Sequence, residues 1–468
     1  MDKVLLIFIF LVLTTENLFS QRVKPAIPEP ERIRTYDVKH IKINVKFDWE
    51  QKEVAGNVET EIQPLADDLK EFYVDAVGFK INYIRDENNN DLDFGYDGKK
   101  IKINLTGSVS KESKIIYSVD YTCRPQKGLF FIYPTELNPS QPYQIWTQGE
   151  AQDNRHWIPI YDYPNDKTTF EVYVTVDQKF KTLSNGYLDY SRKISGTDQR
   201  QDHWVMDKPN STYLIMLGIG NFEITEDKTE DLPVQSYVDQ NINIDDAKFT
   251  FRNTTQMVRV FNEKFQIKYP WSKYAQVVVE DFIYGGMENT SATVLNKRAI
   301  YTSAVENDYS SDGIIAHELG HQWWGDLTTC RNWSEMWLNE SFATYSSALW
   351  KENYFNKDEY DYEMLKNGDL AIISDSVTGR YPIWAGLGSV TTNLYDKGAV
   401  ILNTFRSILG EDFFPALGLF LTDNKYGNVE TRDLINAINK YHNFRHNSNE
   451  DYKWMFDQWI WKVRISGF

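Results

Sequence analysis

His317 and His321 flank Glu318 in the segment Asp312-Gly-Ile-Ile-Ala-His-Glu-Leu-Gly-His-Gln-Trp-Trp324. On a helix, residues four apart share a face, so both imidazoles can reach one ion. This H-E-x-x-H spacing suits zinc, and the glutamate sits where it can take a proton from water beside the metal. The chain has only 7 His, and two of them fall at this spacing. A catalytic zinc needs a third protein ligand and keeps one position open. Glu340, in Trp337-Leu-Asn-Glu-Ser-Phe-Ala343, is the expected third ligand. A salt bridge at the edge of a core is the other role open to it. Zinc-bound imidazoles are oriented by further partners, and Asp326 and Asn339 are candidates.

These residues need rigid elements. Around His317 and Glu340 the apolar spacing predicts helices over 311–325 and 334–353, with more at 247–265, 397–409 and 431–442. The first half reads differently. Ile41, Ile43, Val45 and Phe47 alternate with polar residues, and Phe170 to Val176 repeats the pattern. Turn formers at Asp86–Asp91 and Gly95–Gly98 separate such runs. The expectation is a multidomain α+β chain. An antiparallel β-sandwich or saddle over 21–230 is followed by a mainly helical catalytic domain over 231–468.

The metal motif and its later glutamate resemble those of the gluzincin zinc aminopeptidases, which include aminopeptidase N and the leukotriene hydrolase. Gly285-Gly-Met-Glu-Asn289 resembles the G-x-M-E-N motif of that family. The resemblance implies a thermolysin-like catalytic domain and one Zn²⁺ held by His317, His321 and Glu340. It implies that Glu318 is the general base and acid. Gly285, Gly286, Met287, Glu288 and Asn289 would form a substrate-binding segment in which Glu288 takes the free α-ammonium of a peptide. The two glycines let backbone approach a ligand closely. Gln148-Gly-Glu150 resembles the segment that supplies further contacts to the substrate end, making Gln148 and Glu150 candidates. Tyr395-Asp-Lys-Gly398 resembles the motif whose tyrosine stabilises the oxyanion. Ser341 stands where the family often has glycine, a change between small residues expected to matter little. Members of the family usually carry a further helical domain that closes the cleft; with the sequence ending at Phe468, the expectation is either a short form or a fragment of a longer chain.

Composition sets the remaining bounds. The chain of 468 residues carries a net charge of −17. That excess of acid disfavours nucleic acid, whose binding depends on neutralising phosphates. Val4–Leu13 is an apolar run behind Lys3. It is too short to span a bilayer comfortably and reads as a signal peptide over 1–20, hence an exported protein with no stable membrane span after cleavage. An uncleaved anchor is the alternative. Cys123 and Cys330 are the only two cysteines; two buried thiols are expected, with a single bridge as the alternative. The leading expectation is an exported zinc aminopeptidase acting on peptides with a free N-terminus. An endopeptidase and a catalytically silent peptide-binding module remain open beside it.

Overall fold

The computed structural model describes residues 30–229, 232–385 and 392–462. The apolar leader lies outside them. Among the described residues, no helix is long and apolar enough to cross a membrane. The chain is β-rich first and helical after, as expected. It packs as two compact units, Glu31–Arg331 with Leu421–Val429, and Asn332–Phe420 with Glu430–Phe468.

In the first unit, a seven-stranded sheet runs in the order 187–193, 199–211, 167–177, 36–48, 53–64, 115–123, 79–86. Its neighbours are antiparallel except Tyr36–Asp48 against Lys167–Asp177, which is parallel. Ile41, Ile43 and Val45 are buried while Lys42, Asn44 and Lys46 face solvent, so the two-residue period assigns the faces. A four-stranded sheet of 181–184, 217–220, 144–147 and 129–132 lies in the same unit. A third sheet orders 222–229, 232–239, 274–279, 292–296 and 286–287. Its central strand Tyr274–Val279 has parallel neighbours on both sides and is buried throughout. Its near-continuous apolar run reflects cover on both faces. Strands 222–229 and 232–239 are antiparallel neighbours. The change of pattern near residue 230 therefore falls inside a hairpin, and the division by packing comes later, after Arg331.

The expected helix over 247–265 is two helices, α1 (Ile244–Phe251) and α2 (Thr254–Lys264). Asn243 caps the first, its side chain accepting from the Asp245 N–H. Helix α3 spans Asp312–Gly320 and carries the first histidine. Behind it, Trp323 packs edge-on against Phe261, Phe265 and Tyr269, and its indole N–H donates to the Ile267 carbonyl. Two lysines of this unit turn their ammonium groups inward, Lys273 buried and Lys167 half-buried. Lys167 donates to the carbonyls of Asp326 and Leu327. Lys273 donates to those of Ser184 and Ser291. Burial pushes both down to about 7. Cys123 and Cys330 are both buried, as expected.

The second unit is helical: α4 (Trp337–Tyr354), α5 (Lys357–Thr378), α6 (Asp396–Leu409), most of α7 (Phe413–Asn424), α8 (Thr431–His446) and α9 (Lys453–Trp459). The entry to α4 is tied to the start of α8. Trp337 donates to the Thr431 hydroxyl, and Glu335 accepts from the Thr431 N–H and hydroxyl and from the Trp384 indole.

Candidate active site

The histidine pair rests on one helix and the turn that ends it. His317 Nε2 and His321 Nε2 are 3.1 Å apart. His321 Nδ1 donates to the Trp324 carbonyl at 2.9 Å, which commits its proton there and leaves a lone pair on Nε2. Zn–N bonds of about 2.0–2.1 Å in tetrahedral geometry put two nitrogens roughly 3.3 Å apart. The pair thus fits a zinc ion. The partner that orients His321 is a backbone carbonyl, not Asp326, whose own N–H donates back to the His321 carbonyl. Lys167 holds that turn through the Asp326 and Leu327 carbonyls.

Glu318 is almost fully buried and lies against Gly286. A β-carbon at 286 would stand 2.3 Å from Glu318 Oε1. This glycine is therefore required by the base, a reason the sequence did not show. Strand 286–287 pairs with 292–296 at the edge of its sheet. That pairing brings Glu288 beside the base: Glu288, Glu318 and His321 each offer an atom within 4.8 Å of the other two. Gly285 meets Ile314 of α3 across 3.3 Å from its own would-be β-carbon. Asn289 is enclosed, its carbonyl accepting from the Ala292 N–H in the turn that closes the hairpin.

Two residues not singled out by sequence fix Glu288. The Tyr213 hydroxyl donates to its Oε1 at 3.4 Å. Burial, then the Glu288 carboxylate, push that phenol well above its usual range, so it stays a donor. Gln322 donates to the Glu288 carbonyl and accepts from the Ser291 N–H. Adjacency to His321 was the only signal for Gln322, and Tyr213 had none. Gln148 also reaches this segment, its amide donating to the Met287 sulfur at 3.2 Å. Gly149 holds Gln148 and Glu150 against the Tyr213 backbone, since a β-carbon there would come 2.1 Å from the Tyr213 carbonyl oxygen. Glu150 is half-buried and adds to the field that raises the Tyr213 phenol.

In the helical unit, Glu340 lies buried in the first turn of α4. Tyr395 is half-buried immediately before α6. Ser341 and Gly398 interlock these helices: the Ser341 hydroxyl donates to the Leu394 carbonyl at 2.6 Å, and a β-carbon at 398 would stand 1.9 Å from Ser341 Oγ. The exchange at 341 thus matters more than its size suggests. Lys397 is anchored on Asp375 of α5 at 3.2 Å, and Asn393 on the same carboxylate at 2.5 Å. Asp375, absent from the sequence expectations, positions the residues on both sides of Tyr395.

The chain matches the description "Peptidase M1 N-terminal domain" over residues 34–214 and "Peptidase family M1 domain" over 249–459. It is 28% identical over 416 residues to a leucyl aminopeptidase of Saccharolobus solfataricus, covering 86% of this chain and 51% of that protein. It is 32% identical over 327 residues to a probable aminopeptidase 2 of Sulfurisphaera tokodaii, covering 67% and 41%. The chain thus spans about half the length of these curated relatives. The crystal structure of a two-domain M1 zinc metallopeptidase bound to L-arginine has the same fold, with a TM-score of 0.74 at 19% identity over 90% of this chain and 94% of that one.

Proposed function

The chain belongs to the M1 peptidase family, and from that membership and the geometry around His321 we propose that it is a zinc aminopeptidase acting on peptides with a free N-terminus. His317 and His321, with Glu340 as third ligand, hold one Zn²⁺. When bound, the zinc supplies Lewis acidity at the scissile carbonyl and acidifies water. Glu318 takes a proton from water and returns it to the leaving amine. Tyr395 donates a hydrogen bond to the oxygen that gains charge.

The observation that carries the proposal is the placement of Glu288. A hydrolytic zinc site needs one carboxylate as base, and Glu318 is that group. Glu288 is a second buried carboxylate within 4.8 Å of Glu318 and His321. Its charge suits the α-ammonium of a substrate, and Glu150 and Gln148 extend the contact to that end. An enzyme so built measures from a free amine. Export through the apolar leader is part of the proposal, checked by sequencing the N-terminus of the mature protein.

Glu318→Gln tests the chemistry. Hydrolysis of aminoacyl amides is expected to fall at least a hundredfold with zinc content retained; near-wild-type turnover would sink the assignment. Substrates with an acetylated N-terminus are expected to be poor. If they were cut as fast as free ones, the endopeptidase reading would replace this one.

A further inference from the structure

A second convergence of metal-ligating groups lies in the helical unit. His442 and His446 are four residues apart on α8, so their rings share a face, with centroids 4.4 Å apart. Both face Asp412, in the short turn Gly410–Asp412 that follows α6. His442 Nδ1 is 2.7 Å and His446 Nε2 2.8 Å from the same oxygen, Asp412 Oδ2. Arg445 binds the other oxygen, Oδ1, at 2.8 Å, and so fixes the carboxylate with Oδ2 turned to the imidazoles. The Tyr452 hydroxyl lies 3.2 Å from His442 Nε2 and 3.4 Å from Nδ1 and steadies that ring from one side.

We propose that Asp412, His442 and His446 form a second divalent-metal site, selective for zinc-class ions, independent of the ion held by His317 and His321. One atom from each residue lies within 4.8 Å of the others. Two nitrogens and one carboxylate oxygen are the donor set imidazole-binding metals take. Bonds of about 2.0–2.2 Å in tetrahedral geometry separate ligand atoms by roughly 3.4 Å. The rings must therefore back away from Asp412 by about half an ångström to admit the ion. Asp412 is 3% exposed and acts as the fixed ligand. The His446 side chain is 47% exposed; it supplies the freedom to move and leaves a coordination position open to water. Occupied, the site staples the last turn of α8 to the turn behind α6. Calcium and magnesium, which prefer all-oxygen shells, are poor occupants.

The test is zinc stoichiometry of the full chain by equilibrium dialysis and elemental analysis. Wild type is expected to saturate at two ions per chain, the His442→Ala/His446→Ala double variant at one, and the His317→Ala/His321→Ala double variant at one. Asp412→Asn, which keeps side-chain volume, is expected to weaken the second ion at least tenfold. Zinc in excess of one equivalent is expected to raise the melting temperature of the His317→Ala/His321→Ala variant but not of a variant that also lacks His442 and His446. A single wild-type ion that persists in the His442→Ala/His446→Ala variant, or two ions retained without His442 and His446, would overturn the site. Loss of the ion at His317 and His321 alone would instead count against the proposed function.

Discussion

Glu318 and Gly286 constrain each other at the level of single atoms. Because a β-carbon at 286 would come 2.3 Å from Glu318 Oε1, Gly286→Ala must displace the base or the edge strand. A shift near 1 Å at a catalytic group costs on the order of 100-fold in rate. Kinetics of Gly286→Ala should show kcat lowered on that scale, with zinc content and the melting curve near wild type. Lys273 gives a residue-scale prediction about pH. Its folded pKa is pushed down to about 7 by burial, against about 10.4 in the unfolded chain. Between those values the unfolded chain binds the extra proton, so this group's contribution to stability rises with pH and its penalty is fully present below 7. Lys273→Met lacks that rise. In urea titrations its deficit relative to wild type should be about 2 kcal/mol larger at pH 9 than at pH 7.

At the scale of elements, α4 and α6 meet through Ser341 and Gly398. Gly398→Ala drives a methyl into Ser341 Oγ and Cβ, 1.9 and 2.5 Å away. Overpacking of this kind costs about 2 kcal/mol. Ser341→Gly removes both atoms and should restore most of the loss in the double variant, as read by the coupling energy of a double-mutant cycle. The elements also show what was legible beforehand. His317, Glu318 and His321 lie within one turn of helix, so local spacing reveals them. The alternation of Ile41, Ile43 and Val45 reveals a strand face in the same way. Tyr213 acts on Glu288 across 75 positions, and no local pattern encodes such a contact. Asp375 fixes Lys397 and Asn393 from another helix, α5, whose mixed polar sequence hid the element itself. The link between 341 and 398 was equally hidden, because it consists of missing atoms.

At the scale of the molecule, the β-rich to helical order was readable from the change of period from two to 3.6, but the packing division after Arg331 was not. The third sheet takes strands from both sides of residue 230, with 222–229 paired to 232–239, and pairing, not composition, decides which unit a segment joins. Lys167 and Lys273, both with lowered pKa, have a consequence for how the whole chain exchanges protons with its medium. The formal charge of −17 counts both as cations. With each pushed down to about 7, these two amines are mostly neutral in the folded chain near pH 8.5. Unfolding releases both amines to water, where they take up protons. Calorimetric melts at that pH should show an enthalpy that differs between buffers of high and low ionisation heat, and Lys167→Met and Lys273→Met should each lower the number of protons absorbed by up to one. Denaturation of this acidic protein would leave its surroundings more alkaline.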